Sequence, residues 1–174
     1  MRVIATFAGP VATRPGWTVN VCERSEIAAV VSAPADASIE GAVHSWLVEE
    51  RPQWDGWAPA DGRAPVAGYK QISFLHRVAG IDRSAFARCW EEHVALARVH
   101  HPMLWRYTQN IVVRPLLPGT PDIDGIAELT MRLRLDFTER MYDSPEGRRV
   151  IGEDTKRFID RTKGWRVMAR ELRD

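Results

Sequence analysis

Between Asp82 and Asn110 the apolar positions follow first a helical and then an extended rhythm. At about 100° per residue, Phe86, Cys89, Trp90, His93, Leu96, Ala97 and His100 fall on one side of a helix, and Arg88, Glu91, Glu92, Ala95 and Arg98 on the other. Asp82 is a suitable N-cap and Pro102 ends the segment. Tyr69–Val78 alternates as a strand before this helix, and Met103–Val113 reads as a strand after it. A turn rich in Pro and Gly, 114–121, leads to a strand over Asp124–Met131. A helix then begins near Leu133, and a further helix opens at Ser144-Pro145, a cap followed by proline at the first helical position. Gly164 closes it before a last strand, Trp165–Glu171. The order is β-α-β-β-α-β, which predicts an α+β fold with a ferredoxin-like unit: an antiparallel sheet carrying its helices on one face.

The first part of the chain reads differently. Arg2–Phe7, Trp17–Glu23 and Ile27–Ser32 are short strands, and the spacing from Ser38 to Glu50 predicts a helix. Pro52, Gly56, Pro59, Gly62 and Pro65 mark a connector over 51–68, with Trp54 and Trp57 expected to pin it to the surface. We therefore divide the chain into a β-β-β-α extension with linker, 1–65, and a main domain, 66–174. The extension is readable as a reduced copy of the same unit.

Composition narrows the function classes. With 24 Lys and Arg against 23 Asp and Glu in 174 residues, the net charge is +1, and no general field favours nucleic acid or a membrane surface. Cys22 and Cys89 lie far from each other and from any histidine pair, so neither a disulfide framework nor a zinc site is expected. With no apolar run near a membrane span and no leader pattern at the start, a cytoplasmic protein is expected. No glycine-rich phosphate loop, nucleophile elbow or metal motif stands out, so neither a cofactor nor a metal is expected.

His93 is the leading candidate for chemistry, because an imidazole aimed from a helix into its own core is either a satisfied core histidine or a group facing a pocket. Tyr107 could hold or polarise a substrate oxygen, and Asp124, on the same face of its strand as Glu128, could steer a proton acceptor. The plainer roles are a rim tyrosine and carboxylates that hold backbone amides or arginines. His76, Trp90, Trp105, Gln109, Asn110 and Glu128 are the candidate substrate-binding residues. His100 is seven positions beyond His93, roughly 10 Å along the helix, too far to share a metal.

In this order and spacing, Arg77, Phe86, Glu92-His93, Tyr107 with Asn110, and Asp124-Gly125 with Glu128 resemble the pattern of the EthD-domain family of dimeric α+β barrels. The resemblance runs over about 69–172. It implies a homodimer in which two equivalent sheets close a barrel, with a pocket between each sheet and its own helices. It also implies activities such as cofactor-free lyases, dehydratases or cyclases acting on aromatic or polyketide-like carbonyl compounds. A cofactor-free monooxygenase and a non-catalytic metabolite-binding protein are the alternatives. The N-terminal extension departs from the simplest members and could close a pocket or mimic a partner's sheet.

Overall fold

Runs rich in Val, Ile, Ala and aromatic residues, cut by Gly and Pro, dominate the first fifty-six positions, where the regular structure is strand only. A computed structural model of the chain describes residues 1–56 and 68–172. The strands are β1 (Arg2–Phe7), β2 (Thr18–Cys22), β3 (Ala29–Pro34), β4 (His44–Asp55), β5 (Tyr69–Leu75), β6 (Arg106–Pro115), β7 (Gly125–Met131) and β8 (Trp165–Glu171). The helices are α1 (Arg83–His100), the single turn α2 (Asp136–Glu139) and α3 (Pro145–Thr155). Asp82 and Ser144 cap α1 and α3 as expected, each side chain accepting from an amide three residues on.

The helix expected over 38–50 is not formed, and this corrects the β-β-β-α reading. Ile39, Ala42, Val43, Trp46 and Leu47 do fit a helical stripe, but Gly41 turns the chain at φ +80° and β4 begins at His44. There it pairs with β1 on one side and β6 on the other. A helix would leave both of those edges unpaired, a cost that outweighs a weak local preference. The first part is thus β-β-β-β. Trp54, expected in a surface connector, lies on β4, edge-on to Tyr107 at 5.1 Å with its indole N–H donating to the Leu104 carbonyl. Trp57 and the proposed 65/66 boundary lie outside the described residues. Pro52 is accommodated in β4 by a shift of register between Pro52 and Trp54.

All eight strands close one antiparallel barrel in the order β1-β3-β2-β8-β5-β7-β6-β4. The circle divides into two quartets, β4-β1-β3-β2 and β8-β5-β7-β6. Numbered within its own half, each runs fourth, first, third, second. The seams repeat the symmetry, since β2 meets β8 and β6 meets β4. The interior of an eight-stranded barrel is just wide enough for side chains to fill. Ile4, Trp46, Val48, Ile72, Phe74, Val112 and Ile126 fill much of it here. Elsewhere inside, Lys70 bridges Glu128 (2.9 Å) and Glu171 (3.1 Å).

The two quartets differ outside the barrel. Loop residues Val11, Trp17, Ala37, Ile39 and Ala42 cover the first, over Ala5, Phe7, Val19 and Val31. Helices α1 and α3 cover the second, where Phe86, Trp90, Ala127 and Phe158 form one cluster. Because strand side chains alternate, Gln71, Ser73, Tyr107, Gln109, Ala127 and Leu129 face these helices while Ile72, Phe74, Asn110, Ile126 and Glu128 face the barrel axis. Any ligand space on this side lies between sheet and helices.

Candidate active site

A cavity of about 540 Å³ occupies that space, lined from the sheet by Ser73, Tyr107 and Leu129, from α1 by Trp90 and His93, and from the α3 side by Ile151. Tyr142 adds aromatic surface, and Arg161 and Arg166 add charge. The volume suits a small organic molecule of two or three rings.

His93 is 6% exposed and borders this cavity. Its Nδ1 lies 2.8 Å from Asp154 Oδ2 on α3. Burial pushes the imidazole below its ordinary value and outweighs the opposing pull of the Asp154 carboxylate. The ring is therefore neutral at pH 7, with its proton on Nδ1 donated to Asp154 and a free lone pair on Nε2. Nε2 has no hydrogen-bond partner among the described residues, and it is not one of the sealed orphan polar atoms of the structure. It therefore opens to the cavity.

Tyr107 reaches the cavity from β6, and its oxygen accepts from Trp90 Nε1 (2.8 Å) and Gln109 Nε2 (3.1 Å). Burial pushes the phenol up to about 12, so it keeps its proton at pH 7. With both N–H groups aimed at the oxygen, the O–H is left to donate. Gln109 sits behind it, fixed by the Trp90 carbonyl (2.7 Å) and by Gln53 (3.1 Å). It supports the wall and is not itself part of it.

His101 also borders the cavity at 6% exposure, with Nδ1 2.7 Å from the Met141 carbonyl, and burial lowers its pKa too. Its place between the helix and Pro102 gives no sign of this burial in the sequence. Residue 101 caps the end of α1, and the Met141 segment folds over it.

Several expected residues lie elsewhere. The Asp124 carboxylate accepts from the Arg77 amide (2.9 Å) and pairs with the Arg77 guanidinium, with Arg83 at 3.4 Å. It pins the start of β7 to the β5–α1 turn, outside the cavity. Glu128 and Asn110 face the barrel interior and bond one another at 3.1 Å. Burial would raise Glu128, but Lys70, Arg106 and Asn110 outweigh it and hold its carboxyl below the usual range. His76 borders a separate shallow hollow with Lys163 and Asp124. Trp105 stacks under Arg132 at 4.5 Å. Of the nine expected residues, His93, Tyr107 and Trp90 share the cavity and Gln109 backs it.

The Gly125 of the Asp-Gly pair has a packing reason. A Cβ there would collide with the Trp90 ring, meeting Cη2 at 3.0 Å and Phe86 Cε1 at 3.2 Å. The missing side chain lets α1 press Trp90 against the sheet and form the cavity wall.

Residues 79–162, from the turn before α1 through α3, match the EthD domain family. The fold is similar to a crystal structure of an anthrone oxidase-like protein, at TM-score 0.60 and 12% identity, over 99% of this chain and 90% of that one. The likeness therefore spans both quartets of the barrel, beyond the EthD segment. No curated protein sequence matches significantly. Among the described residues no helix is long and apolar enough to cross a membrane, and no cluster of three His, Cys, Asp or Glu could hold a metal ion.

Proposed function

We propose that the protein is a small-molecule enzyme that uses His93 as a general base on an aromatic or polyketide-like carbonyl compound, catalysing cyclisation, dehydration or a related lyase step. The observation that carries this is the neutral imidazole oriented by Asp154 at the wall of an aromatic-lined cavity. Nε2 takes a proton from the carbon beside the substrate carbonyl. The electron pair of that C–H bond moves onto the carbonyl oxygen, and the Tyr107 O–H donates to the enolate so formed. The enolate carbon attacks a second carbonyl of the same molecule, closing a ring. The imidazolium returns the proton to the alkoxide. For the elimination of water, Nε2 takes a second proton from the same carbon, the C–H electron pair forms the double bond as the C–O bond breaks, and the imidazolium gives that proton to the leaving hydroxide. Asp154 stabilises the imidazolium between these steps. Proton transfer alone completes the sequence.

Deuterium exchange at the carbon next to the carbonyl of 2-tetralone, followed by NMR in D2O, reads the first step directly. The protein accelerates exchange, and His93→Gln lowers the rate at least about tenfold with an unchanged far-ultraviolet circular dichroism spectrum. Equal rates in the two proteins would remove the proposal.

A second reading, a cofactor-free oxygenase, is favoured by the aromatic lining together with the likeness to an anthrone oxidase-like protein. It starts from the same deprotonation, after which the carbanion reduces dioxygen; for anthrone the balance is one O2 consumed, one quinone and one water formed. An oxygen electrode separates the readings, since exchange without oxygen uptake from anthrone leaves only the first.

We further propose that the second quartet with its helices is a ferredoxin-like unit and the first quartet its reduced copy, supported by the shared strand order. Here the copy stands where the second subunit stands in a dimeric α+β barrel.

A further inference from the structure

The charge of the cavity is unbalanced at one place. Ser73 on β5 and Arg166 on β8 are directly opposite one another in the strand register, and both line the cavity. The Ser73 oxygen accepts from Gln71 Nε2 (3.2 Å), which leaves its O–H free to donate. Arg166 has no carboxylate, hydroxyl or carbonyl partner among the described residues. The second guanidinium on the cavity, Arg161, bonds only neutral groups, the Thr155 hydroxyl and the Gly152 carbonyl at 3.3 Å. The one carboxylate on the lining, Asp160, is bonded by the amide (3.0 Å) and hydroxyl (2.6 Å) of Thr162 and has Lys163 at 3.4 Å. The lining thus presents two cations with no anion of their own, beside an aromatic wall. Some guanidinium groups elsewhere do pair with acids, as Arg106 does with Glu171 and Arg149 with Glu146 and Glu153.

We propose that Ser73 and Arg166 form a carboxylate-binding subsite, so that the molecule taken by this cavity is an aromatic or polyketide-like acid. This deepens the functional reading above, since it rests on the same cavity holding the substrate. A guanidinium and a neighbouring hydroxyl hold the carboxylate at the sheet floor through charge-assisted hydrogen bonds. The rings then lie along Trp90, and the reacting carbon is presented to His93. Specificity follows from charge: a neutral analogue of the same shape leaves Arg166 unpaired.

Isothermal titration calorimetry of the full chain with 2-naphthoate and with the neutral isostere 2-naphthamide tests this. The wild-type protein binds the acid at least about tenfold more tightly than the amide. Arg166→Gln brings the two affinities together by weakening the acid alone, and Arg166→Lys, which keeps the charge, retains most of the preference. Binding of neither probe, equal affinities in the wild type, or an unchanged ratio in Arg166→Gln would each overturn the subsite. An Arg166-dependent preference for the acid with no acceleration of 2-tetralone exchange would instead sink the base chemistry and leave the subsite standing.

Discussion

Sixty-one positions separate His93 from Asp154, and what joins them is the packing of α3 on α1. The carboxylate has two effects: it fixes the tautomer that frees Nε2, and it raises the imidazole pKa against the larger lowering by burial. Both can be read in a pH profile. Because the active form is the neutral ring and its pKa lies below 6.5, activity is level above about pH 6.5 and falls as pH drops through the shifted value. In Asp154→Asn the amide oxygen still accepts from Nδ1–H, but the negative charge that favoured the imidazolium is gone. The pKa therefore drops further, the acid limb of kcat/KM moves to lower pH, and the plateau falls about tenfold or more as the imidazolium intermediate loses its counter-charge. A limb that stayed in place or moved to higher pH would show that the pair does not act on the reaction. His93 itself is visible in the sequence because it interrupts an apolar helical stripe. Asp154 is not, since it sits on a polar helix where carboxylates are ordinary surface residues. Arg166 escapes for a related reason: one exposed arginine on a terminal strand is unremarkable until its register partner Ser73 is known.

At the scale of elements, the contact between α1 and β7 is where the fold shapes the site. Gly125 lies under the Trp90 ring, and that ring both walls the cavity and donates to Tyr107. Gly125→Ala would push α1 outward, at a cost of about 1–3 kcal/mol for an overpacked contact. Thermal melting should show a lowered midpoint, and 2-tetralone exchange a reduced rate, because Tyr107 loses the N–H that orients it. A variant with wild-type midpoint and rate would mean that the helix does not rest on this glycine. The strands and helices of the second half were legible because caps, prolines and periodicity agree there: Asp82 and Ser144-Pro145 start α1 and α3 where expected. The failure at 38–50 has a physical origin. Apolar residues at helical spacing and the long-range pairing of β4 with β1 and β6 point to different structures, and only the pairing partners decide. The same non-local contacts settled the places of Asp124 and Glu128. Their partners, Arg77 at the β5–α1 turn and Lys70 on β5, come from distant sequence.

For the whole molecule, barrel closure bears on the oligomer. The homodimer expected from the family resemblance would supply a second sheet to close the barrel, whereas here the strands of both quartets close one barrel within the chain. Among the described residues each strand has two neighbours, so the barrel leaves no strand edge open to recruit another copy. The seams resemble a subunit interface in content: β4 carries Trp46 and Val48, both fully buried, across to the second quartet, where Trp46 packs on Phe74 at 5.4 Å. Large exposed apolar residues do remain, among them Val99, Leu133 and Leu135, but they are single side chains on α1 and around α2. We therefore expect a monomer of 19.7 kDa in light scattering coupled to size exclusion, with the mass unchanged across a wide range of loading concentrations. A stable mass of twice that value would show that a surface outside the barrel seams joins two copies. It would also return the dimer of the family to this chain by a different route.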